Sequence, residues 1–339
     1  MADIKLISAY KRYDTESVLN GVSIHVNNGE YISLIGASGC GKTTTLKIIA
    51  GLIKACSGQV LFNNVNASKL SENKSRAVIV DQNVLLFPHM TVERNINFGL
   101  RIRRVSKEKI KEKTEKLLEM IQLSEHKNKF PSELSGGQMQ RVAIARAMAI
   151  EPEVLLLDEP FSKLDVSLRE DMRKFIKEVH ENHKITIIMV THDKEEAFLM
   201  SDRVAFMDNG KIEQYDTPEN IYKRPNSMKV ARFFGHCNFI EGTIENSVFT
   251  SKLGTYSVDE KKEGKVTMLI RSEQIKIVRE GEQNATGIVT DYRYAGEKSY
   301  LKLDSNGVTL GIHTTEDIKY RLRDTIHIKI DYKKGVLLW

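Results

Sequence analysis

Gly36-Ala37-Ser38-Gly39-Cys40-Gly41-Lys42-Thr43 has the form G-x-x-x-x-G-K-[ST]. It follows the apolar run Tyr31-Ile32-Ser33-Leu34-Ile35 and opens the apolar-periodic run from Thr44 to Leu52. Strand, glycine-rich loop, helix is the context in which this pattern cradles phosphate. Glycines let main-chain N–H groups turn inward where a Cβ would clash. Those groups and the positive helix end then hold the α- and β-phosphates of a nucleotide. Lys42 is placed to reach the β- and γ-phosphates. The Thr43 hydroxyl is placed to meet Mg²⁺, an ion that keeps most of its waters and takes few protein ligands. A glycine-rich turn that binds nothing would explain the glycines, but not Lys42-Thr43 directly after them.

The 339 residues suffice for two domains of about 150 each. Lys and Arg number 51 against 45 Asp and Glu, with both signs mixed along the chain. That mild balance makes no demand for nucleic acid. No apolar run is long enough to span a bilayer, and the N-terminus lacks a signal peptide's apolar core. If the chain works at a membrane, other chains are expected to supply the membrane part. The three cysteines, Cys40, Cys56 and Cys237, fit no metal spacing. Reduced thiols in the cytoplasm are expected. Cys40 lies beside a helix N-terminus, which predicts a lowered thiol pKa and a reactivity that bound nucleotide blocks.

Three further apolar runs end in polar groups. Ala77-Val78-Ile79-Val80 leads to Asp81-Gln82, and ligands gather at strand ends of open α/β sheets. Gln82 therefore contacts either Mg²⁺ or an attacking water, or it is a solvated loop glutamine. Val154-Leu155-Leu156-Leu157 leads to Asp158-Glu159-Pro160. Two carboxylates after a buried strand are costly unless paired or bound to metal. Asp158 is placed to hold Mg²⁺ and Glu159 to act as base for a water. Ile185 to Val190 leads to Thr191-His192-Asp193, where His192 is either structural or a sensor of the γ-phosphate. Leu134-Ser135-Gly136-Gly137-Gln138 runs into a helix, with Ser135 as N-cap, and makes a second helix end able to hold an anion. Ser-Gly-Gly is also a common loop.

The rest of the chain supplies frame. Short strands are expected over residues 2–35, where Tyr13 either stacks on a purine or is an ordinary half-buried tyrosine. The apolar loop Leu85-Leu86-Phe87-Pro88-His89 precedes a helix capped by Thr91. Residues 101–123 are expected to form one solvated amphipathic helix with Ile110, Leu117, Leu118 and Ile121 on its buried face. Asp208-Asn209-Gly210 is a hairpin turn, and Thr217-Pro218 starts a helix. From about residue 240, alternating runs at Phe239–Ile244, Val266–Arg271, Gly287–Tyr294, Ser299–Leu303, Val308–His313 and Thr325–Tyr332 suggest a small all-β barrel or sandwich. Tyr292, Tyr294 and Tyr300 would be its stacking residues if it bound oligonucleotide, but core packing or surface burial is the favoured account of them.

Taken in order, Tyr13, the loop 36–43, Gln82, Leu134–Gln138, Leu155–Glu159, Asp165 and His192 resemble an ATP-binding-cassette (ABC) transporter ATPase over residues 2–235. The C-terminal part more loosely resembles the regulatory TOBE domain of ATPases from polyamine, ferric iron, sulfate or sugar importers, through the turn Arg271-Ser272-Glu273-Gln274-Ile275. The resemblance implies an α/β P-loop NTPase at 1–235, with a helical subdomain at about 83–152, then a small all-β OB-like domain at 236–339. It implies ATP and Mg²⁺ as cofactors. Tyr13 would stack on adenine. Gly36, Ser38, Gly39, Cys40, Gly41, Lys42, Thr43 and Thr44 would hold the phosphates, and Thr43, Gln82 and Asp158 the metal. Glu159 would be the catalytic base, with Gln82 and His192 beside it. Ser135, Gly136, Gly137 and Gln138 would close on the γ-phosphate of a second copy, with Asp165 at the seam. Implied partners are a second copy, integral-membrane permease subunits and, indirectly, an extracellular solute-binding protein, at the cytoplasmic face of a membrane; nucleic acid is not expected. A soluble ABC ATPase acting on a nucleic-acid or ribosome partner is the alternative. Lys163 and Met139 depart from the usual small residue and glutamine at their positions, flanking the chemistry.

Overall fold

In a computed structural model the chain is described over residues 2–67, 77–315 and 319–339. It divides into two compact units, Met1–Pro218 and Glu219–Trp339.

In the first unit, the strands Tyr31–Ile35, Val154–Asp158 and Thr186–Thr191 are buried at every position. Such unbroken apolar runs suit a parallel sheet covered on both faces. The sheet runs Lys211–Asp216, Arg203–Asp208, Tyr31–Ile35, Thr186–Thr191, Val154–Asp158, Ala77–Val80. Its neighbours are parallel except for the hairpin pair at the first edge. Register pairs Ile35 with Thr191, Asp158 with Val190 and Val80 with Leu157. Four strands therefore finish together at one rim, and the loops after them start from that rim.

Side chains alternate between two cores, as the pleat requires. Leu155, Leu157, Ile187 and Met189 pack with the helices Val92–Ile102, Lys107–Met120, Gly136–Ala149 and Val166–His183. Leu156, Ile188, Val190 and Leu34 pack on the other face with the helix Lys42–Ile49 and a small sheet. That small sheet runs Glu16–Val26, Ile4–Tyr13, Ser57–Phe62, Val65–Asn66, and its pairings are antiparallel. Asn209 and Gly210 take φ of 46° and 73°, the left-handed pair that a type I′ turn needs. The helix expected over 101–123 is shorter, Lys107–Met120, because Arg101 and Ile102 belong to the preceding Thr91-capped helix. Val92–Ile102 ends, Arg104 turns left-handed at φ 54°, and the Ser106 hydroxyl accepts from Lys109 N to cap the next helix. A serine that caps competes with continued helix, and here the cap prevails.

The second unit takes in the helix Pro218–Lys223, from its second residue on, and the helix Met228–Phe234, which the sequence reading assigned to the first domain. Arg271 holds them, donating to Ala231 O at 2.7 Å and Tyr222 O at 2.8 Å. Two five-stranded sheets follow. One runs Gly254–Ser257, Val248–Ser251, Cys237–Glu245, Gly264–Arg271, Val336–Leu338; the other runs Ile275–Ile277, Thr325–Ile330, Ala285–Tyr294, Ser299–Ser305, Val308–Thr314. Their pairings are antiparallel, and both sheets feed one core containing Ile240, Met268, Val289, Leu303 and Ile328. All six expected runs are strands. The hairpin Val248–Ser257 and the strands Ile275–Ile277 and Val336–Leu338 are additions, too short to show alternation in the sequence. Tyr292 packs against the core, Tyr294 is exposed, and Tyr300 lies against the rings of His236 and His313.

Candidate nucleotide and catalytic site

Each glycine of the loop 36–43 has its own reason. Gly39 and Gly41 lie at φ 82° and 102°, where a side chain is strained. A Cβ on Gly36 would come 2.1 Å from Met207 O, and one on Gly41 would come 2.5 Å from Leu19 Cδ2. The helix Lys42–Ile49 then starts on Gly41, which has no side chain to cap it. Its first-turn amides are left for whatever enters the loop. Lys42 is buried, and its ammonium donates to Gly36 O at 2.8 Å and Ala37 O at 2.9 Å. The cation thus lies across the mouth of the loop. Ser38 and Gly39 are exposed, and Thr44 is half-buried in the helix's first turn.

Cys40 corrects the expectation drawn from its helix end. The thiol is buried, and burial pushes its pKa up; the nearby Lys42 charge opposes this without reversing it. Desolvation of the thiolate outweighs the helix end.

Thr43 Oγ1 donates to Asp158 Oδ1 at 3.1 Å. Asp158 is buried, and burial raises its carboxyl pKa, with Asp81 and Glu159 adding to the effect. A desolvated carboxylate among like charges is an anion in need of a cation. Among the described residues, no group of three or more His, Cys, Asp or Glu side chains is placed to hold a metal. The donor set of one hydroxyl and one carboxylate fits a hard ion that takes its other ligands from phosphate and water.

Beside this pair three strand ends converge. Glu159 takes φ 46°, unusual for a non-glycine, while its N–H donates to Val190 O at 3.0 Å. Strain of this kind is held by surrounding structure and re-aims a side chain. Glu159 Oε2 accepts from Gln82 Nε2 at 3.2 Å and lies 3.3 Å from His192 Nδ1. The Ser162 hydroxyl accepts from Gln82 Nε2 at 3.1 Å and donates to Glu159 O at 3.0 Å. Lys163 donates to Asn83 Oδ1 at 2.6 Å, which ties the same turn to the loop after Gln82. Sequence reasoning read Ser162–Asp165 only as a turn toward a neighbouring subunit, with Lys163 flanking the chemistry, and did not foresee these contacts.

It also passed over Glu196. That carboxylate is buried and accepts from the Thr191 hydroxyl. Arg169 and Arg173 approach it at 3.9 and 4.0 Å, and burial still raises its pKa. Thr191 Oγ1 in turn accepts from Asp193 N at 3.0 Å, so the turn carrying His192 is braced from both sides. The signal was available as Thr-x-x-x-x-Glu at 191 and 196, but burial alone gives it meaning.

The ABC transporter family matches residues 19–162. The Fe(3+) ions import ATP-binding protein FbpC of Fusobacterium nucleatum is 43% identical over 281 residues, 81% of this chain and 76% of that protein. The spermidine/putrescine import ATP-binding protein PotA of Acetivibrio thermocellus is 39% identical over 336 residues, 97% of this chain and 94% of that protein. This chain belongs to the ABC transporter family. Among solved structures, the dimeric post-hydrolysis state of the ATP-binding cassette MJ0796 bound to ADP and Pi covers 63% of this chain and 98% of that one, with TM-score 0.57 and 30% identity. The chain is an ABC-type ATPase.

The remaining candidates of the ABC cassette stay apart from this centre. Ser135 Oγ accepts from Gln138 N, and Gln138 Oε1 accepts from Ser135 N, a reciprocal cap on Gly136–Ala149. Among the described residues, no hydrogen bond joins Ser135–Gln138 to the loop 36–43. A Cβ on Gly136 or Gly137 would meet only Leu164 at 3.7 Å or Leu168 at 3.4 Å. Packing within this chain therefore does not require glycine at either place. Asp165 is exposed and caps Val166–His183 through Leu168 N at 2.9 Å. Tyr13 ends its strand 46% exposed, with the Lys11 ammonium 5.0 Å from its ring centre.

Proposed function

We propose that this ATPase powers uptake of a small solute, an ion or a polyamine, through separate membrane subunits, and that it works as a pair of copies with two shared ATP sites. The convergence of Gln82, Glu159 and His192 beside the Thr43–Asp158 pair carries this reading. ATP phosphates would lie on the amides of 36–43, under Lys42. Thr43 and Asp158 would hold Mg²⁺, which supplies charge neutralisation of the phosphates when bound, with Gln82 next to it. Glu159 would take a proton from the attacking water. Gln82 and His192 orient its carboxylate, and His192 would also meet the γ-phosphate. Phosphoryl transfer needs positioning and charge more than covalent help, so this set suffices. Tyr13 would stack on the adenine ring.

The second copy is proposed from Gly136 and Gly137. Their smallness is unused within the chain, which leaves the Ser135–Gln138 helix end open to a phosphate held elsewhere. The dimeric cassette relatives support that pairing, with Asp165 at the seam. Relatives that import iron and polyamines support the transport role. No helix among the described residues is long and apolar enough to cross a membrane, so the permease subunits would be other chains and this one would sit on their cytoplasmic side. An extracellular solute-binding protein would complete the system. Two sheets around a shared core support a small OB-like regulatory domain at the C-terminal end.

The Glu159→Gln variant tests the assignment. It should bind Mg-ATP as the parent does, lose at least about 100-fold in turnover, and elute as a dimer with ATP on a sizing column. Turnover within a few-fold of the parent would remove Glu159 from the chemistry.

A further inference from the structure

The second unit contains a cavity of about 920 Å³ between its leading helix and the sheet edge formed by Gly264–Arg271 and Val336–Leu338. That is within the range of small-ligand sites. Its wall is mixed, with Met268, Val336 and Leu337 giving the apolar part. Arg271 is the one buried charge on that wall, at 3% exposure. Its two Nη groups are spent on Ala231 O and Tyr222 O. Among the described residues, its Nε has no hydrogen-bond partner and no carboxylate pairs with it. The Tyr222 ring also faces the guanidinium, 4.2 Å from its centre, so carbonyl oxygens and a ring face, with no carboxylate, surround a cation in a setting that screens it poorly.

The rim sharpens the sign. Lys333 is an exposed cation there without an ion pair among the described residues, whereas Lys334 is spent on Asp331 at 3.1 Å. The acids of the lining, Asp259 and Glu260, are exposed and half-buried, so water screens them more than it screens Arg271. The cavity therefore combines a positive, desolvated wall with apolar surface. We infer that it binds a small organic anion, carboxylate- or phosphate-bearing, whose apolar body lies on Met268, Val336 and Leu337. This ligand would be distinct from the nucleotide, which the other unit's loop takes.

Trp339, the chain's one tryptophan, lies two residues beyond Leu337 and reports locally. Phenyl phosphate is a suitable probe and benzyl alcohol its uncharged control. Titrating each into the full-length protein should give a saturable change in Trp339 fluorescence with phenyl phosphate only. The Lys42→Ala variant should retain that response, which separates it from phosphate binding at the ATP loop. Arg271→Gln should weaken it by about tenfold or more. Because Arg271 also holds two helices, Lys333→Glu serves as the surface variant and should weaken binding several-fold with the far-ultraviolet spectrum unchanged. Absence of a saturable response, equal binding of benzyl alcohol, loss of binding in Lys42→Ala, or unchanged affinity in Lys333→Glu would each overturn the assignment.

Discussion

The helices Lys42–Ile49 and Gly136–Ala149 both start on glycine-rich loops, and they treat their first amides in opposite ways. The first has Gly41 at its N-cap, with no side chain to offer, and its glycines are enforced by Leu19, Val18 O and Met207 O. The second has Ser135 and Gln138 satisfying each other, and its glycines face ordinary contacts. One helix end leaves its first amides without a cap from this chain. The other is capped by its own side chains and, on the proposed reading, meets a second copy. If both ends hold phosphate as proposed, the glycines that packing enforces mark the site completed within one chain, and the glycines that packing leaves unused mark the half that is shared.

The largest expected effect breaks the first end. Gly41→Ala puts a Cβ 2.5 Å from Leu19 Cδ2 at φ 102°. ATP affinity should fall by more than about 100-fold, with on the order of 2 kcal/mol of stability lost to strain. Nucleotide titration and thermal unfolding read the two; unchanged affinity would mean that the loop amides do not hold phosphate.

Ser135→Ala should act at a different step. It removes the acceptor for Gln138 N and costs about 1 kcal/mol of helix stability. ATP binding to dilute protein should be unchanged, while hydrolysis at high protein concentration falls by about tenfold. Equal loss of binding at both concentrations would abolish the contrast between the two helix ends.

Asp158→Asn sharpens the contrast through pH. Burial raises the carboxyl pKa above its unfolded value. Between those two values the folded protein holds a proton that the unfolded chain has released, so stability falls as pH rises through the window. Asparagine has no such slope. Without Mg²⁺ and ATP, Asp158→Asn should be more stable than the parent at neutral pH, by on the order of 1 kcal/mol. Mg-ATP should reverse the order. Melting curves across acid to neutral pH decide it, and parallel curves for the two proteins would contradict the burial argument.

The smallest effect concerns Cys40. With its thiol buried and its pKa pushed up, Cys40 should react with a disulfide reagent at least about tenfold more slowly than exposed Cys56 at neutral pH. Bound ATP should slow it further. Faster labelling of Cys40 would restore the helix end as the dominant influence.

Much of this was legible in the chain. Buried parallel strands show as unbroken apolar runs, and the polar residues that end them are the proposed site residues Gln82, Asp158, Glu159 and His192. The caps at Thr91, Ser135 and Asp193 use adjacent residues only, although Asp193 and Ser106 were not read as caps. The break at Arg103–Ser106 was missed because apolar spacing continues across it. The second unit's edge strands, three or four residues long, carry too few positions to show a period of two.

Read alone, the chain determined its loop, its strand ends and its capping residues, because each depends on neighbours a few positions away. Tertiary structure decided that Glu159 Oε2 meets both Gln82 and His192, since that needs three strands in register. It also decided that Ser162 and Glu196 brace the site, that Cys40 is desolvated, and that Arg271 is a buried cation on a cavity wall. Burial and convergence are sums over residues far apart in sequence. No local pattern contains them, and they set the charge state and aim of groups whose identity the chain already shows.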